Sequence, residues 1–352
     1  MVDKKLNKRQ ETILAKIESD KSYAIGELLL LFSEKETPSL ATLRRDLKEL
    51  CVLDFLKQTG KLKNTHYKLT IFGVIYNPIN AHDYCVVDPD KRNGNRSYNF
   101  SLFEKFPESI FSKEEIKKLD DATKLFKEKS RNANETIQQK ELERFVIELS
   151  WKSSKIEGNT YTLLDTELLL KEGIKSSNYT ESETKMILNH KRTFQYVLSV
   201  KEKYKKPNIR IIEDIHKFLT EGLSVSFGLR SKQIGITGSA YVPLSVPTQI
   251  NKALNNLCNA IERLDTPYEK GLLALLGISY IQPFEDGNKR TARLFANAIL
   301  LAYGYAPLSY RNVDEINFKE SILVFYEKNS IVPMQKIFID QYLFACENYL
   351  KF

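Results

Sequence analysis

The chain has 352 residues, 42% of them apolar and 28% charged, with a formal net charge of +8. That length suggests two or three domains with real cores, and the composition excludes a low-complexity or collagen-like chain. Cys51, Cys85, Cys258 and Cys346 stand singly and the four histidines are scattered, which argues against a disulfide framework and a zinc site.

The N-terminus carries charge without an apolar run behind it, so no signal peptide is expected. The most apolar stretch, residues 271–281, is too short to span a bilayer. No membrane partner is expected, and the chain reads as cytoplasmic. The positive charge permits a polyanionic partner without naming one.

Residues 1–72 read as a separate unit. Leu6, Ile13, Leu14 and Ile17 recur at helical spacing, and residues 25–32 give a second short helix. Ser39 is placed to cap a third helix, which has Leu40, Leu43, Leu47 and Leu50 on one side. Thr42, Arg44, Arg45 and Lys48 fall outside that stripe. Two alternating segments around Thr59-Gly60 form a basic hairpin with Lys57, Lys61, Lys63 and Lys68. The order resembles a bacterial winged helix-turn-helix module. That resemblance implies double-stranded DNA as a partner, with Thr42, Arg44, Arg45, Lys48, Lys61 and Lys63 as contact residues. The other use of such a unit is protein contact, including a homodimer.

Residues 73–131 are expected to connect. Turn signals at 88–90 and 93–95 open the stretch, and Ser112 with Glu115 starts an amphipathic helix. Residues 132–352 are mainly helical, with apolar spacing over 142–155, 165–171, 182–203, 211–223, 248–264, 268–281 and 287–303. The extended exception is 233–246, where Ile234, Ile236 and Tyr241 flank Thr237-Gly238-Ser239. This predicts a β-hairpin on the helical body.

The segment with chemistry is Gln282-Pro283-Phe284-Glu285-Asp286-Gly287-Asn288-Lys289-Arg290-Thr291-Ala292-Arg293. It joins two apolar helices, and the second begins near Gly287 with unpaired backbone N–H groups at its positive dipole end. Arg290 and Arg293 share a face of its first turns, and Asp286 could hold a cation bridging phosphate oxygens. A carboxylate, an amide nest and two guanidinium groups suit a nucleoside triphosphate. No P-loop signature is present.

The full string resembles the Fic motif H-P-F-x-[D/E]-G-N-[G/K]-R-x-x-R at every position but the first. Ser153-Ser154-Lys155-Ile156-Glu157-Gly158 is similar to the family's inhibitory motif. Gly228-Leu229-Arg230 and the stretch from Ile236 to Pro243 resemble the lead into its flap. The resemblance implies a mainly α Fic core with a hairpin flap, and AMP transfer from ATP with Mg²⁺ to a Ser, Thr or Tyr hydroxyl of a protein target. It implies Asp286 as the metal ligand, Gly287, Asn288 and Lys289 as an anion hole with Asn288 facing the α-phosphate, and Arg290 and Arg293 on the outer phosphates. Thr237, Gly238, Ser239 and Tyr241 would hold the target segment by strand addition. Glu157, with Ser153 and Gly158, would inhibit by pairing bidentately with Arg293.

Gln282 departs from the motif at the general base. A carboxamide has no useful basicity, so AMP transfer is expected to be weak or absent while nucleotide binding survives. A natural pseudoenzyme, altered chemistry and an engineered exchange all fit this residue. Lys289 also occurs in the Doc branch, which transfers phosphate instead. Two further readings are therefore carried forward: a Doc-like phosphotransferase, and a DNA-binding transcriptional regulator that uses the Fic core as an ATP sensor.

Overall fold

A computed structural model describes residues 6–18, 21–33, 36–131 and 133–351. Asn132 and Phe352, the two ends of the expected segment 132–352, lie outside the described residues, as does the side chain of Lys63.

The N-terminal part comprises α1 (Lys8–Lys16), β1 (Tyr23–Ala24), α2 (Ile25–Leu30), α3 (Leu40–Val52), β2 (Leu56–Thr59) and β3 (His66–Leu69). The strands form an antiparallel sheet in the order β1-β3-β2. Asn7 and Gln10 close a capping box on α1, and Ser39 accepts the Thr42 amide to start α3. Leu43, Leu47 and Leu50 of α3 pack with Ile13, Leu14, Leu28 and Leu56 in one core. The hairpin expected around Thr59-Gly60 is present, with a connection that runs past Gly60 before β3 starts at His66. Gly60 takes a left-handed φ of 75° and a short 3₁₀ turn, Leu62–Asn64, follows before β3.

This part is tied to the rest through α4 (Ile71–Ile75) and the residues after it. The Asn77 side chain donates to Leu14 O at 2.9 Å, while Asn77 O accepts from Ser330 at 2.6 Å. The connecting stretch holds α5 (Ala81–Cys85), then loops, then α6 (Lys113–Arg131), started by the Ser112/Glu115 capping box.

The body is formed by α7 (Glu135–Ile156), α8 (Leu163–Glu172), α9 (Glu181–Ser199), α10 (Ile209–Thr220), α11 (Pro247–Arg263), α12 (Pro267–Ile281), α13 (Asn288–Ala302), α14 (Glu315–Lys328) and α15 (Val332–Asn348). The fold is mainly α. At its centre α12 packs along α13, and both are buried nearly all round. That is why α12 reads as apolar on every side and not as an amphipathic stripe.

The hairpin expected at 233–246 is not formed as paired strands. Thr237-Gly238 makes a turn, but the one ladder contact is an isolated parallel bridge from Val242 to Ser97, with Val242 N donating to Arg96 O at 2.9 Å. Pairing within the segment is replaced by pairing with the connecting loop. Among the described residues no helix is long and apolar enough to cross a membrane.

Candidate active site

The sequence from 282 to 293 folds as a helix end, a loop and a helix start. Gln282 ends α12 in the left-handed region at φ 51°, and Gly287 opens α13 at φ 78°. A Cβ at Gly287 would meet Thr220 Cγ2 at 3.0 Å as well as being strained by that φ, so glycine is required there. Phe284 is fully buried and stacks on the His216 ring with centroids 3.7 Å apart. The same imidazole donates from Nε2 to Asp286 O at 2.9 Å. Burial pushes His216 down to about 4, so it is neutral at physiological pH and serves as a fixed donor.

Asn288 staples the loop shut. Its Oδ1 accepts from Phe284 N and its Nδ2 donates to Phe284 O, both at 2.8 Å. Asn288 is expected to face the α-phosphate; the loop engages its Oδ1 and one of its two Nδ2–H donors, and its backbone N–H stands at the first position of α13.

Arg290 is 2% exposed; its Nη2 reaches Asp286 at 3.2 Å and its buried Nη1 has no hydrogen-bond partner among the described residues. Burial pulls its pKa down from the usual value, against the pull of Asp286 and Glu157. A buried guanidinium nitrogen with nothing to donate to is costly unless a ligand supplies the acceptor.

Arg293, fully buried, donates from Nε to Ser153 Oγ at 2.9 Å, from Nη2 to Ser153 O at 2.7 Å and from Nη1 to Glu157 Oε1 at 2.8 Å. The bidentate pair expected with Glu157 is thus a single hydrogen bond, because Ser153 takes the other donors. The second Glu157 oxygen lies 3.6 Å from Lys289 Nζ. Burial alone would raise the Glu157 pKa, but Arg293 and then Lys289 outweigh it and hold the carboxylate below its ordinary range. Gly158, at φ 95°, lets the chain turn away just past Glu157.

Gln282 donates from Nε2 to Ser279 O at 2.6 Å and to Tyr326 OH at 3.2 Å. Its backbone carbonyl accepts from Arg230 Nε at 2.7 Å. Gln282, Glu157, Asp286, Gly287, Lys289 and Arg290 all line one polar cavity of about 250 Å³, whose far wall is Ile234–Thr237. A neighbouring, more apolar cavity of about 280 Å³ lies between Ile156, Ile236, Phe318, Ile322 and Tyr326.

The expected flap residues divide. Thr237 faces both cavities. Gly238 O accepts from Arg92, and Ser239 Oγ donates to Glu327 Oε1 at 2.6 Å. Tyr241 is buried, with its hydroxyl on Tyr280 O. Ser239 and Tyr241 are thus anchors and not an open docking edge. The Val242 edge is already occupied by Arg96; the side that borders the cavities is 234–237. His216 and Glu327 were not singled out from sequence, and Arg230 stood there only as the end of the Gly228-Leu229-Arg230 lead into the flap.

Residues 206–300 match the model of the Fic/DOC family, a segment that contains α10, the flap segment, α11, α12, the loop and nearly all of α13. These residues form a Fic/DOC family domain. The chain is 31% identical over 177 residues to a protein adenylyltransferase Fic of Nematostella vectensis, covering 48% of this chain and 41% of that one. It is 27% identical over 158 residues to a probable protein adenylyltransferase of Aquifex aeolicus (strain VF5), covering 43% and 48%. The chain thus spans less than half the length of these two relatives. The fold is similar to that of Fic-1 from C. elegans (TM-score 0.57, 17% identity, 66% of this chain and 70% of that one). It also resembles a Fic domain containing signalling protein from Bacteroides thetaiotaomicron (TM-score 0.54, 21% identity, 66% and 94%). Ser153 and Glu157, which hold Arg293 of the Fic domain, lie outside the matched segment.

Proposed function

We propose that the Fic domain is the nucleotide site of a protein adenylyltransferase, closed by Glu157 and stripped of its general base at Gln282. The observation that carries this reading is Arg290, whose buried Nη1 has no hydrogen-bond partner among the described residues, on a cavity that also meets the N-terminus of α13. The apolar cavity next to it suits an adenine ring, with the phosphates running toward Gly287, Lys289 and Arg290. The two homologues named adenylyltransferases support the same chemistry.

In this reading a target hydroxyl attacks the α-phosphorus, a new P–O bond forms, and pyrophosphate leaves as the bond to the β-phosphate oxygen breaks. Backbone N–H groups of residues 287–289 and Arg290 stabilise the charge that develops. The hydroxyl proton needs an acceptor, and Gln282 offers only a carboxamide whose nitrogen is already donating. Mg²⁺, when bound, neutralises phosphate charge and aligns the leaving group. Asp286 fits its needs: the side chain is 70% exposed, it borders the phosphate cavity, and one carboxylate plus phosphate and water oxygens suffices for this ion. Glu157 inhibits by holding Arg293 and by placing negative charge where an outer phosphate would sit. The test is calorimetric titration with Mg–ATP. This chain should bind, and Arg290→Ala should weaken binding by tenfold or more. No binding by either this chain or its Glu157→Gly variant would overturn the reading.

Residues 1–72 are assigned as a winged helix, 73–131 as a connector, and 132–352 as the Fic unit with its inhibitory helix α7. For the first, a specific observation favours duplex DNA: Arg44, Arg45 and Lys48 are exposed on α3 while Leu43 and Leu47 are buried. Arg44→Ala/Arg45→Ala should weaken duplex retention by a few kcal/mol at most, and Lys61→Ala should lower the salt slope by about one unit. Retention that does not respond to salt would leave the domain as a protein-contact module. Lys57 and Lys68 lie elsewhere, on the sheet face turned to the body.

A further inference from the structure

A cleft of about 970 Å³ separates the three-stranded sheet from the helical body. We propose that it binds a phosphate-rich linear anion, the chemistry shared by a single nucleic-acid strand and a free polyphosphate. Its walls carry Lys57 and Lys68 from the sheet and Arg96, Lys105 and Lys328 from the body, against Glu18 as the one carboxylate among the described lining residues.

The sheet wall is the informative one. In the β2–β3 register Lys57 stands directly opposite Lys68, and like charges directly opposite weaken a sheet. The two faces of this ribbon are unequal: Leu56 and Leu69 pair on the buried face, and the lysines pair on the face toward the body. Among the described residues, none of Lys57, Lys68, Arg96 and Lys105 has a carboxylate within ion-pair distance, although surface lysines elsewhere in the chain commonly do. A repulsive pair facing Arg96 and Lys105 across a cleft is relieved by an anion lying between them. Several phosphates in a row match two walls better than one compact anion does.

The body wall is also the support of the flap. Residues 93–99 line the cleft, Arg96 O accepts from Val242, and Asn95 N donates to Glu327 O. An anion drawn onto Arg96 therefore bears on the backbone that holds Val242.

The experiment uses the full chain and a 5′-labelled 15-mer of deoxythymidine, followed by fluorescence anisotropy at low salt. Inorganic tripolyphosphate, in an Arg290→Ala background that silences the Fic loop, is the second probe. Binding of either probe should fall at least tenfold in Lys57→Ala/Lys68→Ala and again in Arg96→Ala/Lys105→Ala. Four contacts predict a log–log salt slope near −3 for the oligonucleotide. Binding of the oligonucleotide alone assigns the cleft to a strand, and binding of tripolyphosphate assigns it to a free polyphosphate. Lys57→Ala/Lys68→Ala should melt no lower than the parent, since a repulsion is removed. The facing pair of variants carries the test if that sheet variant misfolds. Absence of binding by both probes, or binding that ignores both walls and follows Arg44→Ala/Arg45→Ala, overturns the proposal.

Discussion

Replacing Gln282 by histidine and Glu157 by glycine together should produce label transfer from ATP far beyond that of either change alone. The site already has the backbone nest and Arg290; it lacks a proton acceptor and a free Arg293. Histidine is well suited to position 282, because the residue there sits at φ 51° and histidine is among the side chains enriched in that region. One ring nitrogen can donate to Ser279 O, which now receives the Gln282 carboxamide, leaving the other for the target hydroxyl. A positioned base is worth on the order of 10²–10⁴ in rate. With Glu157 still on Arg293, Gln282→His alone should label slowly. Glu157→Gly alone should do little, and the two should be more than additive because both act on one step.

The double variant should also acquire a pH limb that falls with acidity near the ordinary histidine range. An imidazolium cannot accept the hydroxyl proton. The two native histidines beside the loop cannot supply such a limb, since burial pushes His216 down to about 4, and burial followed by Arg293 and Arg290 pushes His190 down to about 3. Robust transfer by Glu157→Gly with Gln282 intact would show that the proton acceptor lies elsewhere, with Glu285 the next suspect.

Arg92→Ala should be among the most destabilising changes outside the loop, costing about 3–5 kcal/mol in chemical denaturation. Glu327 is 2% exposed and its carboxylate accepts from Tyr84 at 2.8 Å, Ser239 at 2.6 Å and Arg92 at 3.2 Å. Arg92 further donates to Val87 O, Cys85 O and Gly238 O. Without the guanidinium a buried carboxylate loses its cation, and the flap turn loses its hold on Gly238. Burial and then Glu327 raise the Tyr84 pKa well above the phenol range, so the tyrosine remains a donor and cannot compensate as a charge. Hydrogen exchange should quicken at residues 236–242. A loss below about 1 kcal/mol with unchanged exchange would mean that the flap is held by Tyr241 and Arg230 instead.

The loop was legible because its parts are local. A helix end, a glycine and two arginines three apart fall within 12 residues, so their joint meaning can be read from one string. The contact of Glu157 with Arg293 spans 136 positions and emerged only through resemblance. Even there Ser153 was undervalued, since its carbonyl and hydroxyl take two donors that a motif cannot allot. The flap misled for the opposite reason. Ile234 and Ile236 alternate as a strand should, but backbone pairing depends on what lies alongside, and residue 242 pairs with a loop near residue 97. Arg92 and Glu327 stand 235 positions apart with no local pattern linking them, and only the fold brings them together. Lys57 and Lys68 were legible as wing residues; which way that wing face turns was not.

Incubating the Gln282→His/Glu157→Gly protein with Mg–ATP labelled in turn at the α- and γ-phosphate tests the central claim most directly. AMP transfer predicts label retained on protein from the α-position and none from the γ-position. Retention from γ with none from α would mean that phosphate is transferred instead, as in the Doc branch, and would contradict the reading of this site as an adenylyltransferase.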